Sequence, residues 1–164
     1  MVSNPQIKSR QRVKHLAEVF TADREVQAML DLIPEHQYRN PLSTWLEPAC
    51  GNGNFLIAIL QRKLAYRPEG MGADIHALQA LSSLYGIDIA PDNVEEAKDR
   101  LFDLLDTHIH TEDKQAFLAH VRDILNTNII QGDSLKPDSV TIHQYIWAGT
   151  GYSTKAMKLS DCQD

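Results

Sequence analysis

Trp45-Leu46-Glu47-Pro48-Ala49-Cys50-Gly51-Asn52-Gly53-Asn54-Phe55-Leu56 decides the fold class. An apolar, strand-like start runs into Glu-Pro, then into a turn of small residues, then into an apolar helix. Gly51 and Gly53 lack the Cβ atoms that would hold a ligand away from the backbone, and either tolerates positive φ. Such a strand–glycine turn–helix unit lets a backbone approach a nucleotide-like ligand, although the same turn serves any α/β protein. The dinucleotide fingerprint would put a third glycine at position 56, where Leu56 stands, so the loop has no pyrophosphate signature.

Working outward, residues 6 to 19 read as a basic helix, and Thr21 as the cap of a helix over 22 to 33. Val26, Met29, Leu30 and Ile33 recur there at helical spacing and Pro34 ends it. Residues 35 to 43 read as a polar loop and 44 to 47 as the first strand. Phe55, Leu56, Ile59 and Leu60 line a helix over 54 to 65. After a loop at 66 to 73, Asp74 reads as the cap of a short helix carrying Leu78 and Leu81. Residues 84 to 89 form the second strand, and Pro91 opens a helix to about 105. A polar stretch with His108 and His110 leads to a helix over 113 to 126. Residues 128 to 131 are the third strand, and 139 to 147 offer a fourth without clean two-residue alternation. Beyond Gly149 the tail reads as polar and frayed.

Alternating helices and strands predict a mostly parallel sheet, and ligands bind such sheets beyond the carboxyl ends of the strands. Gly51 and Gly53, Asp88, and Asp133 fall at the ends of strands one, two and three. Asp88 is placed to accept two hydrogen bonds from a ribose diol, or else to cap the next helix. With Pro91 and Asp92 already serving that helix start, the ligand role is the preferred reading. Asp133, after Gly132, is placed to accept from an adenine amino group, or else to form a Gly-Asp turn. Asp88 lies 37 positions after Gly51, where a dinucleotide fold expects about 20. That spacing argues against a plain dehydrogenase.

Composition narrows the setting. The chain has 164 residues, enough for one domain, with 43% hydrophobic residues and a net charge of −6. No apolar run approaches the ~18 residues of a membrane span, and the polar, basic start has no signal-peptide core. Cys50 and Cys162 are too few for a disulfide framework; Cys50 reads as a small packing residue. These features predict a cytoplasmic chain. Only the first fifteen residues (Lys8, Arg10, Arg12, Lys14, His15) are clearly basic. A chain that gripped nucleic acid unaided would usually show a broader basic face. His108 and His110 lack a third ligand at metal spacing, so a solvated loop is expected and no metal site.

Four segments, in order, carry a resemblance. Ala17-Glu18-Val19-Phe20-Thr21 resembles the Gly-Glu-Val-Phe-Thr-Pro cofactor motif of adenine-N6 DNA methyltransferases from restriction–modification systems, departing from it at Ala17 and Ala22. Glu47-Pro48-Ala49-Cys50-Gly51-Asn52-Gly53-Asn54-Phe55 is similar to their S-adenosylmethionine loop. Residues 82 to 89, ending Tyr85-Gly86-Ile87-Asp88-Ile89, resemble the ribose motif. Residues 128 to 135, with Gly132-Asp133-Ser134, resemble the adenine motif.

The resemblance covers roughly residues 12 to 136. It implies a partial doubly wound, mostly parallel α/β sheet of the S-adenosylmethionine-dependent methyltransferase (Rossmann-like) type, with an N-terminal helical segment. The implied division is an arm and cofactor motif at 1–21, a cofactor-binding domain at 22–136, and a divergent, partly disordered tail at 137–164. The implied cofactor residues are Phe20, Thr21, Glu47, Pro48, Ala49, Gly51, Gly53, Phe55, Asp88, Ile89, Asp133 and Ser134, and the cofactor is S-adenosyl-L-methionine.

The family's Asn/Asp-Pro-Pro-Tyr/Phe loop positions the target amine and stacks on the flipped-out base. Here none of the seven prolines adjoins another, so no catalytic residue is assigned. The expectation is the cofactor-binding part of an adenine-specific DNA methyltransferase. Double-stranded DNA and a partner methyltransferase subunit are the expected partners. The alternative is a non-catalytic cofactor-binding or interaction module, or a truncated remnant; a small-molecule methyltransferase is a weaker third. If residues 139 to 147 do not pair beside the first strand, that strand keeps an open edge.

Overall fold

The computed structural model describes residues 20–162. The basic arm, the helix expected over 6 to 19 and the Ala17–Val19 part of the first motif lie outside them. The chain order is α1 (Asp23–Leu30), α2 (His36–Arg39), β1 (Trp45–Glu47), α3 (Asn54–Leu64), α4 (Ala73–Ser82), β2 (Leu84–Asp88), α5 (Pro91–His108), α6 (Lys114–Asn128), β3 (Ile129–Gln131), β4 (Thr141–Ala148) and β5 (Gly151–Lys158). Short 3-10 turns cover Pro137–Ser139 and Leu159–Cys162.

This is an α/β fold around a three-stranded parallel sheet of order β1-β2-β3. Trp45 is in register with Leu84, and Gly86 with Ile129. β2 is central and almost wholly buried, so its apolar run does not need to alternate. Its two faces meet different partners. A Cβ on Gly86 would come within 2.7 Å of Leu56 Cδ1 and 3.1 Å of Cys50 Sγ; the glycine lets α3 and the turn before it lie directly on the strand. On the other face, the Tyr85 hydroxyl donates to the His143 carbonyl at 2.7 Å, and Ile87 packs with Val140 and Leu159.

That second contact corrects the expected frayed tail. β4 and β5 form an antiparallel hairpin from Thr141↔Lys158 to Ala148↔Gly151. Tyr145 and Trp147 turn inward and Gln144, Ile146 and Ala148 outward. The Trp147 and Tyr152 rings pack at a tilt of 52° within the hairpin, and Trp147 Nε1 donates to Ser82 Oγ at 3.0 Å. The hairpin is a second sheet, so the fourth strand does not pair with β1. Among the described residues β1 keeps its outer edge unpaired, with Leu46 43% exposed.

Several local expectations are also corrected. α1 starts at Asp23 after Ala22, without a side-chain cap from Thr21. Residues 35 to 43 contain the helical turn α2. Gly72, not Asp74, precedes α4; Asp74 sits in its first turn, where Oδ1 accepts from Ile75 N and Oδ2 from Thr111 Oγ1. α5 runs on through His108, and Asn128 ends α6 rather than starting β3. Asp113 caps α6 by accepting from Ala116 N at 2.9 Å, a contact worth about 1 kcal/mol. Among the described residues, no helix is long and apolar enough to cross a membrane, and no three His, Cys, Asp or Glu side chains group as metal ligands.

Candidate functional site

A cleft of about 270 Å³ opens where β1 and β2 end. The glycine turn forms its floor. Cys50 N donates to Ile87 O and Gly53 N to Cys50 O, so the turn is bonded to β2 and closed on itself. Gly51 and Gly53 both take positive φ, +53° and +90°, which explains the two glycines in backbone terms.

Their open sides do not face empty space. A Cβ on Gly51 would lie 3.1 Å from the Phe20 ring, and one on Gly53 would lie 3.1 Å from the Ala97 Cβ of α5. Gly53 therefore serves helix–loop packing, and Gly51 serves the close seating of Phe20.

Of the residues expected to hold a ligand, Phe20, Thr21, Glu47, Ala49, Gly51, Phe55, Asp88 and Ile89 line this one cleft. Pro48 and Gly53 lie in the turn without lining it. Asp133 and Ser134 do not line it either. Asp133 is engaged in its own turn, where Oδ1 accepts from Leu135 N at 3.0 Å and Oδ2 lies 3.6 Å from Lys136 Nζ. The Gly-Asp turn is thus the role the structure gives Asp133.

Asp88 takes the helix-entry role that its sequence position allowed, and it also ties the glycine turn. Oδ1 accepts from Ala90 N at 2.8 Å and from Asn93 Nδ2 at 3.3 Å, fixing the entry to α5. Oδ2 faces the glycine turn and accepts from Gly51 N at 2.8 Å. A carboxylate offers about four acceptor positions, and three are in use. A diol needing two would have to displace one of them, and the Gly51 bond is the one inside the cleft.

The electrostatics favour a cation. Burial raises the Glu47 carboxyl above its usual value, opposed by a hydrogen bond from Ala49. Burial pushes the Cys50 thiol up to about 12, helped by the negative charges of Asp88 and Glu47. Cys50 is therefore a protonated packing residue, not a nucleophile. Two carboxylates on a half-closed cleft form an acidic site that suits a positively charged ligand.

Sequence reasoning missed three asparagines in the lining, Asn52, Asn54 and Asn93. Asn52 Nδ2 donates to Glu96 Oε1 at 3.0 Å. Because a carboxylate only accepts, the amide orientation is fixed, and its Oδ1 is left buried without a partner. The two asparagines flanking Gly53 were the available signal, since side-chain amides are common where a loop must be tied to a neighbour. No family model, curated protein or solved structure matches the chain.

Proposed function

We propose that this chain is the S-adenosylmethionine-binding part of an adenine-specific DNA methyltransferase of restriction–modification type. The observation that carries the reading is convergence. Phe20–Thr21, the glycine turn and Asp88–Ile89 are far apart in sequence, each resembles a separate cofactor motif, and all line one cleft.

The residues fit the cofactor at one end better than at the other. At the glycine turn, Glu47 and Asp88 offer negative charge, and Asn52 Oδ1 is a buried acceptor without a donor. Phe20 and Phe55 add apolar surface to the same lining. At the other end, Ile89, 57% exposed at the rim, offers apolar surface to a flat base. Asp133 does not reach the cleft, and its volume lies just under the ~300 Å³ of a small-molecule site. When bound, the cofactor supplies an electrophilic methyl group on a sulfonium cation. The chain's own residues bind and orient. The Asn/Asp-Pro-Pro-Tyr/Phe loop that would hold the target amine does not occur in these 164 residues, so transfer requires that loop from another segment or subunit.

A second reading is a cofactor-binding or interaction module without chemistry of its own. The Asp133 turn and the partly spent Asp88 carboxylate favour it.

Calorimetric titration with S-adenosylmethionine and S-adenosylhomocysteine tests the proposal. The acidic cleft predicts tighter binding of the sulfonium form, and Glu47→Gln should narrow that preference. A folded chain that binds neither at ~1 mM, about −4 kcal/mol, overturns it. Methyl transfer to DNA by the pure chain eliminates the second reading.

A further inference from the structure

One turn of α5 is moulded to the glycine turn. Glu96 Oε1 accepts from Asn52 Nδ2 at 3.0 Å. Ala97 fills the space that a Cβ on Gly53 would need. Arg100 Nη1 donates to Asn52 O and to Asn54 Oδ1, both at 2.8 Å. Arg100 thus spends its charge on two neutral oxygens that bracket Gly53. The chain of contacts continues: Asn54 Nδ2 donates to Thr21 O at 3.0 Å. Thr21 and Phe20 line the same cleft, and Phe20 rests on Gly51.

Arg100 does not line the cleft, yet its guanidinium is two hydrogen bonds from the wall that does. We propose that Arg100 is a positioning residue that sets the width of the cleft. It holds the glycine turn directly and the Phe20–Thr21 strip through the Asn54 amide.

The consequence for a ligand rests on the cofactor reading above; the mechanical link does not. A guanidinium suits this task because its planar N–H groups are fixed relative to one another and never deprotonate. The Asn54 amide suits it because one end accepts while the other donates. Asn54→Asp keeps the acceptor for Arg100 and removes the donor for Thr21 O. It therefore cuts the relay at its second link.

The test is amide hydrogen exchange on the unliganded full chain, with S-adenosylmethionine titration alongside. Arg100→Ala should speed exchange at Val26, whose amide donates to Ala22 O, and at Gly51 and Gly53 at least ~10-fold while β2 stays protected, and Arg100→Lys should restore part of that protection. Asn54→Asp should speed exchange at Val26 and leave Gly51 and Gly53 protected. Weaker cofactor binding in the same order of variants supports the proposal further. If the wild type binds no cofactor but exchange changes as described, the brace stands and the cofactor reading fails. Unchanged exchange at Val26 in both Arg100→Ala and Asn54→Asp overturns the proposal. So does a uniform rise that includes β2, because the arginine would then only support the fold.

Discussion

Replacing Lys63 with methionine isolates one buried charge. Lys63 sits on α3 at 0% exposure. Its ammonium donates to Pro41 O at 3.0 Å, Ser43 O at 2.6 Å and Ser83 Oγ at 2.6 Å. These contacts tie α3 to the approach of β1 and to the start of β2. All three acceptors are neutral, so burial dominates and pushes the pKa from 10.5 down to about 7. Between those values the unfolded chain holds a proton that the folded chain lacks. Stability therefore rises with pH through this window, by about 1.4 kcal/mol per pH unit, and flattens below about pH 7 and above 10.5. From pH 6.5 to pH 9 the gain is about 2.5 kcal/mol. Lys63→Met keeps most of the stem and removes the titrating group. It strips donors from two carbonyls and a hydroxyl, at roughly 1–3 kcal/mol for each one left unsatisfied, but that cost does not vary with pH. His76 is held below its usual 6.5, first by burial and then by the Arg67 and Lys63 charges; its titration in the unfolded chain is common to both proteins and largely cancels in the comparison. Urea unfolding of both proteins across the range should show the wild type gaining about 2.5 kcal/mol on the variant. A constant difference would refute the reasoning: the three hydrogen bonds would then be holding the ammonium near an ordinary lysine value.

Gly86→Ala should destabilise by about 1–3 kcal/mol in the same assay, because Leu56 Cδ1 lies 2.7 Å from the new methyl and is itself fully buried; no loss would mean that α3 shifts freely. Iodoacetamide at pH 8 should label Cys162, which is exposed, well before Cys50, which is buried and pushed up to about 12; equal rates by mass spectrometry would contradict the closed glycine turn. Ile89→Ala should leave unfolding within ~0.5 kcal/mol of wild type, since the side chain is 57% exposed, while weakening cofactor binding several-fold; unchanged affinity would remove Ile89 from the site.

The parallel core was legible because its signals are local. Apolar runs, Pro91 at the start of α5 and the glycine turn each act over a few residues, and β1, β2 and β3 fall within a residue or two of their expected places. The hairpin was not legible, because what orders it is distant. Ser153, Thr154 and Lys155 look like tail residues until β5 pairs with β4 and Tyr85, 58 positions away, donates to His143. Lys63 was hidden for a similar reason. On a helical pattern it reads as a solvated cation, and only the three acceptors from two other segments make its burial tolerable. The Arg100 contacts are equally invisible in sequence, since the oxygens it bridges lie 46 and 48 positions earlier.

The residues that resemble a cofactor motif also have reasons to be there without a cofactor. Gly51 seats Phe20, Gly53 seats Ala97, Gly86 seats Leu56, and Asp88 joins the glycine turn to α5. Substituting any of these disturbs the fold and the cleft together, so lost binding in Asp88→Ala would not by itself establish contact with a ligand. The two roles separate at Ile89 and Glu47. Ile89 places apolar area at the cleft rim that folding does not bury. Glu47 holds a carboxyl where burial disfavours its charge. An exposed isoleucine and a penalised carboxylate on one cleft both cost the isolated chain something, and a flat, cationic ligand would offset both. Binding measurements at these two positions therefore bear on function, and measurements at the glycines bear first on the fold.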